Sequence, residues 1–304
     1  MTGRFRGGAR FLAAALTLAA VAAVAVAASG WLRRARSPVA VDLDVPYAMT
    51  GRGPIRLDVY RPRGATTPRP AILLIHGGGW VGGDKAEQAD MADHFARAGF
   101  VAFAVNYRLA TDDASRYPAP VDDVQRAVRW VRAHAREYGV DPARVGAFGH
   151  SAGGHLAASL GTRETRDDSD PALAGYSSRV SCVVDCCGPA DFTTEESPPV
   201  GPSIADVVPS LFGRTRPEAP EAYRDASPVT HADARSAPTL IVHGTADDIV
   251  PIDQSRRLLR ALREAGVEAR LVELEGEGHG FESPANVRIW LAEMMAFFRL
   301  HLKP

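Results

Sequence analysis

An α/β fold with a mostly parallel central sheet of about eight strands, covered by helices on both faces, is what the sequence predicts. Three observations carry this. Short β-rich runs alternate with helical stretches from Val41 onward, the rhythm of strand–helix–strand units. The run Ala71 to Ile75 is continuously apolar, as in a strand buried on both faces. The third is Gly149-His150-Ser151-Ala152-Gly153, set between a strand pattern and a helical one, the context of a nucleophile elbow.

The elements follow in order. Val41 to Tyr47 and Ile55 to Tyr60 read as an opening pair of strands. Ala86 to Ala98 reads as a helix stopped by Gly99, and Val101 to Val105 as the next strand. In Ala119 to Tyr138 the residues Val121, Val124, Ala127, Val128 and Val131 recur at helical spacing, so one long helix ending at Gly139 is expected. Asp141-Pro142 reads as a turn before a strand Val145 to Phe148, and Ala152 to Leu160 as the helix after it. Val180 to Val184, Thr239 to Val242 and Ala269 to Leu274 are strand candidates; Ser255 to Ala265 and Asn286 to Leu300 are helix candidates. The segment 191–238 is long and rich in Pro, Ser and Asp. A structureless loop of that length is improbable in a compact domain, so it is expected to be a small helical, cap-like insertion over the sheet.

The 304 residues carry 35 basic and 36 acidic side chains, a net charge of -1. No basic stripe marks a nucleic-acid partner. Arg4, Arg6 and Arg10 precede an apolar run from Phe11 to Ala28, with Ala25-Val26-Ala27 as a small-residue cleavage motif and Arg33, Arg34 and Arg36 beyond. Residues 1–36 therefore read as an export signal or an N-terminal membrane anchor. Both place a catalytic domain, residues 37–304, outside the cytoplasm, secreted or held at the membrane. Cys182, Cys186 and Cys187 sit in one apolar run and give no disulfide framework. No metal-ligand spacing is present, and no metal or organic cofactor is expected.

The chemistry rests on Ser151. A serine on a sharp strand-to-helix turn sits in strained backbone, and Gly149, Gly153 and Gly154 leave room for it. A second signal is His76-Gly77-Gly78-Gly79-Trp80, directly after the apolar strand. A glycine run lets bare N–H groups approach a carbonyl oxygen as it becomes an anion. The competing dinucleotide reading of Gly77-x-Gly79-x-x-Gly82 lacks the acidic residue its ribose needs, because the next strand ends in Asn106-Tyr107-Arg108. Serine needs a base, and the base an orienting acid. The loops after two later strands supply both: Asp247, with Asp248 as near rival and Asp185 as a more distant one, and His279. His150, His155 and His243 read as packing or hydrogen-bonding residues.

Together these motifs, with Asn106-Tyr107-Arg108-Leu109, Asp122-Asp123-Val124, Ser227-Pro228 and Val250-Pro251, resemble the α/β-hydrolases of the hormone-sensitive-lipase-like and feruloyl-esterase-like group. The resemblance implies a carboxylesterase acting on a small-molecule ester, with Ser151 as nucleophile, Asp247 as acid and His279 as base. It also implies Gly78, Gly79 and Ala152 as oxyanion donors. Trp80, Phe192, Phe212 and Tyr223 are expected to line the substrate pocket. Serine peptidase or amidase activity, including an arylformamidase-like one, is the alternative on the same fold; a non-catalytic binding protein is the second. The acyl and alcohol groups and the oligomeric state are left open.

Overall fold

The apolar run at residues 69–75 forms a strand whose two faces feed two different cores. In the computed structural model, which describes residues 37–165, 169–194 and 204–304, Leu73 and Ile75 pack into one cluster while Ile72 and Leu74 pack into another. Successive side chains of a strand point to opposite faces. Both faces are therefore apolar only if both are covered.

The strands are β1 (Val39–Thr50), β2 (Gly53–Pro62), β3 (Arg69–Ile75), β4 (Val101–Val105), β5 (Val140–His150), β6 (Cys182–Cys186), β7 (Thr239–Gly244) and β8 (Ala269–Leu274). They form one sheet in the order β1-β2-β4-β3-β5-β6-β7-β8. The β1–β2 and β2–β4 pairings are antiparallel, and every pairing from β4 to β8 is parallel. The helices are α1 (Ala89–Arg97), α2 (Ala119–Ala133), α3 (Ala135–Tyr138), α4 (Ala152–Thr162), α5 (Ile204–Phe212), α6 (Pro220–Ala226), α7 (Asp253–Glu264) and α8 (Pro284–Leu302). One face is covered by α2 and α4 through Val121, Val124, Val128, Leu156 and Leu160. The other is covered by α1 and α8, where Phe95, Phe100 and Phe298 meet edge to face with centroids 5.4 to 6.5 Å apart. Gly146 of β5 makes room for α8: a Cβ there would lie 3.0 Å from Phe298 and Leu302.

The expected elements are present, with three corrections. The helix expected at 86–98 opens as a 3-10 turn at Lys85–Gln88, fixed by a capping box between Asp84 and Glu87, and becomes α-helical only at Ala89. The helix expected at 119–138 breaks at His134, whose ring stacks on Trp130 and whose Nδ1 lies 2.9 Å from the Trp130 carbonyl oxygen. Asp141-Pro142 does not stand outside the sheet. It is an irregularity within β5, where the Asp141 carboxylate accepts the Ala143 N–H.

The described part of the insertion carries α5, α6 and a 3-10 turn at Pro228–His231, joined by turns. Residues 195–203 lie outside the described residues, as does the N-terminal segment 1–36 with its signal or anchor reading. Among the described residues no helix is long and apolar enough to cross a membrane. The three cysteines are buried free thiols.

Phe298 holds α8 against the sheet and is fully buried. Phe298→Ala should therefore destabilise the fold by about 3–5 kcal/mol through lost burial and the cavity left behind. Urea unfolding should show the midpoint shifted with an unchanged slope.

Candidate active site

The site sits at the carboxyl ends of the parallel strands, where open α/β sheets bind ligands. Its centre is the tight turn from β5 into α4. Ser151 has φ 58° and ψ −124°, a region that costs a non-glycine residue about 1–3 kcal/mol. Neighbouring bonds hold it there: the Ser151 N–H donates to the Cys186 carbonyl at 2.8 Å, and the His155 N–H donates to the Ser151 carbonyl at 3.1 Å. The glycines are sterically required. A Cβ at Gly149 would lie 2.0 Å from the Gly153 carbonyl oxygen, and one at Gly153 would lie 2.2 Å from that of Ile75.

The structure brings the three predicted residues together. The Ser151 hydroxyl and His279 Nε2 are 2.8 Å apart, and His279 Nδ1 lies 2.7 Å from Asp247 Oδ2. Nδ1–H donates to the carboxylate, which leaves Nε2 as acceptor for the serine proton. Asp247 is fixed in turn. Its Oδ1 accepts the Ile249 and Val250 N–H groups at 2.9 Å each, and Oδ2 lies 3.1 Å from His243 Nε2. Burial acts to raise the Asp247 carboxyl, but hydrogen bonds from His243 and His279 outweigh it and hold the group well below the usual carboxylate range. Asp248 is exposed and takes no part. Asp185 is buried in β6 beneath Gly154 and Gly188, where its carboxylate accepts the Gly188 N–H. Burial pushes it up to about 6.

His279 is placed from two sides. His150 Nε2 lies 2.8 Å from the His279 carbonyl oxygen. Below, Glu277 accepts N–H groups from Glu282 and Ser283 and the side-chain amide of Asn286 at 2.8 to 3.0 Å, which pins the loop to the start of α8. The Ala246 N–H donates to the Glu277 carbonyl, so the loops carrying Asp247 and His279 are bonded directly. Glu277 and Asn286 escaped sequence reasoning, because the burial that sets Glu277 apart from its neighbour Glu275 does not show in the sequence.

The glycine loop lies alongside. Gly78 and Gly79 have φ of 104° and 59°, and a Cβ at Gly77 would come within 3.4 Å of Ser151 Cβ. The Val81 and Gly82 N–H groups turn back onto the Gly78 carbonyl. A Cβ at Gly79 would stand 3.8 Å from Val207 Cβ, so α5 of the insertion covers the loop. Val207 had no sequence signal. Ala152, at the first position of α4, is buried beside Ser151.

The four aromatic residues expected to line the pocket require a correction. Trp80 is fully buried, and Phe192, Phe212 and Tyr223 are nearly so. Their rings meet one another: Trp80 to Phe192 at 5.8 Å, Phe192 to Phe212 at 5.9 Å, and Phe212 stacked on Tyr223 at 3.8 Å. They form a packed layer joining the insertion to the glycine loop, rather than an open wall.

Fold and site together are those of an α/β-hydrolase. The BD-FAE family model matches residues 57–262, and the chain belongs to that family. It is similar to esterase LipC of Mycobacterium tuberculosis, 32% identical over 230 residues that cover 74% of this chain and 57% of that protein. It is also similar to the probable carboxylic ester hydrolase LipM of the same organism, 32% identical over 254 residues, covering 81% of this chain and 58% of that protein. The chain thus spans under three-fifths of the length of these two relatives. Among solved structures it resembles a truncated carbohydrate esterase from gut microbiota, with TM-score 0.74 and 26% identity over 88% of this chain and 99% of that one. It also resembles the butyrate-bound esterase Est2 of Thermogutta terrifontis, with TM-score 0.71 and 29% identity over 86% of this chain and 94% of that one.

One buried imidazole, His155, and one half-buried one, His150, set an acid limit on stability. Burial pushes His155 down to about 4; burial, then the neighbouring His279, does the same to His150. The native state therefore excludes protons that the unfolded chain binds below its ordinary value of 6.5. Their contribution is complete above that value and is lost as pH falls from about 6.5 toward about 4. For fully buried His155 the slope is about 1.4 kcal/mol per pH unit. Urea unfolding at pH 7 and pH 5 should show this loss, and His155→Asn should lose less than the parent.

Proposed function

We propose that this protein is a serine carboxylic-ester hydrolase acting through an acyl-enzyme. The observation that carries the reading is the continuous relay Ser151–His279–Asp247, at 2.8 and 2.7 Å, beside a loop of bare glycine N–H groups. The names of the relatives point the same way.

In this reading Ser151 Oγ attacks the ester carbonyl carbon while its proton passes to His279 Nε2. Asp247, held ionised, stabilises the imidazolium and its orientation. The carbonyl oxygen becomes an anion that takes hydrogen bonds from the N–H groups of Gly78, Gly79 and Ala152. Donors placed in advance of the charge are worth about 10²–10³ in rate each. The tetrahedral intermediate collapses as His279 returns the proton to the leaving alcohol. Water then repeats the sequence on the acyl-enzyme and releases the acid.

A short acyl group is the proposed substrate half. Val207 of α5 stands close over Gly79, and the aromatic residues behind the loop pack on one another, which supports a short acyl group. The butyrate-bound relative supports this size. The basic and apolar residues at 1–36 support the further proposal that the enzyme works outside the cytoplasm.

The test uses p-nitrophenyl acetate, butyrate and palmitate with residues 37–304. The acetate and butyrate should be hydrolysed, the palmitate at least about 10-fold more slowly. Ser151→Ala should lose at least about 10³-fold in kcat with an unchanged unfolding midpoint. A fluorophosphonate probe should label the parent at Ser151 and leave the variant unlabelled. Full activity in Ser151→Ala would sink the assignment.

A further inference from the structure

The imidazole of His155 is fully buried, one turn after Ser151 on α4, and the relay does not use it. Its two nitrogens make two hydrogen bonds. The Trp80 indole Nε1–H donates to Nδ1 at 3.1 Å, and Nε2 lies 2.9 Å from the Ala226 carbonyl oxygen. An indole N–H only donates and a carbonyl only accepts. The pair is therefore satisfied by one species, the neutral ring with its proton on Nε2. A protonated ring would set a second donor against the indole. Burial, which pushes the group down to about 4, keeps it neutral.

These bonds connect three parts of the site. Trp80 directly follows Gly79, and it has φ 62°, a left-handed conformation that a tryptophan adopts only under constraint. Its carbonyl accepts the Ala110 N–H at 2.7 Å, and its ring meets those of His155 and Phe192 edge to face at 5.4 and 5.8 Å. Ala226 ends α6 of the insertion. The His155 N–H itself donates to the Ser151 carbonyl. One residue thus touches the Ser151 turn through its backbone, and the glycine loop and the insertion through its ring.

We infer that His155 is a positioning residue for the oxyanion loop: its Nδ1 lone pair holds the Trp80 indole, and so sets where the Gly78 and Gly79 N–H groups stand relative to Ser151. The inference rests on the ester-hydrolase reading for its kinetic consequence. A loop in strained left-handed backbone has a strong tendency to relax. A hydrogen bond between two fully buried rings is an effective restraint against that. Misplaced donors lose stabilisation of the oxyanion, which exists only in the transition state, so kcat should fall while KM stays nearly unchanged.

Three substitutions separate the two bonds. In His155→Asn the carboxamide oxygen overlies Nδ1 and keeps the bond from Trp80. In His155→Gln the amide nitrogen overlies Nε2 and keeps the bond to Ala226 but not the one from Trp80. His155→Leu keeps neither. On p-nitrophenyl acetate, Gln and Leu should lose about 10- to 100-fold in kcat with KM within about 3-fold, and Asn should stay within about 3-fold of the parent in both. Trp80→Phe should match Gln, and combining the two should add little. The Trp80 indole N–H resonance should keep its hydrogen-bonded position in Asn and lose it in Gln and Leu.

Equal kcat in all variants, or losses that follow Tm regardless of which bond survives, would overturn the positioning role. So would an indole resonance that does not move in Gln and Leu. A parent that hydrolyses no ester would instead overturn the ester-hydrolase reading, while the indole resonance would still report on the hold His155 has on the loop.

Discussion

The structure depends on the approach of helix α4 to the end of strand β3. The backbone at Gly153 passes so near Ile75 that a single added carbon would lie 2.2 Å from a carbonyl oxygen. That contact lets the β5–α4 turn be tight enough to hold Ser151 at φ 58°. It also brings the loop that leaves β3 against the same turn, with Gly77 beside Ser151. Ser151 and the glycine loop beside it are therefore not independently placed. Both follow from how closely one helix can start against one strand.

The rest of the site is arranged to keep that geometry under load. Asp247 has all of its accepting positions directed: two backbone N–H groups on one oxygen, two imidazoles on the other. His279 is bonded through both ring nitrogens, and its backbone is held by His150. Strain at Ser151 and Trp80 is stored in the turn and the loop and opposed by bonds elsewhere. The aromatic layer of Trp80, Phe192, Phe212 and Tyr223 ties the insertion into the same core, so the cover over the site is part of the fold and not an accessory to it.

Much of this was legible in the sequence because steric and periodic signals are local. The glycines around Ser151 announce a turn that no other residue allows, and the apolar runs announce strands covered on both faces. The choice of Asp247 over Asp248 was legible only as a preference. It is decided by the Ile249 and Val250 N–H groups, which fold back on Oδ1. What sequence could not show depends on contacts between distant segments. Val207 meets Gly79 across more than a hundred residues, and the pocket-lining reading of the aromatics failed because their partners are one another. The helix break at His134 and the strand irregularity at Asp141 likewise come from side chains competing for backbone groups, which a periodic pattern does not record.

The loop that carries His279 is pinned by Glu277 to the N–H groups and amide at the head of α8. This gives the assembly of the site an order in time. As the chain is made, Ser151 and its turn can form once the first six strands are present, because the Ser151 N–H donates to Cys186 of β6. Asp247 arrives almost a hundred residues after Ser151. His279 comes later still, and its loop settles only with α8, which docks its phenylalanines on the far face of the sheet. A growing chain therefore carries Ser151 before either of the side chains that later line up with it. The contact from Ser151 through His279 to Asp247 is withheld until the core on the opposite side has closed, so its geometry reports, in effect, on the completion of folding.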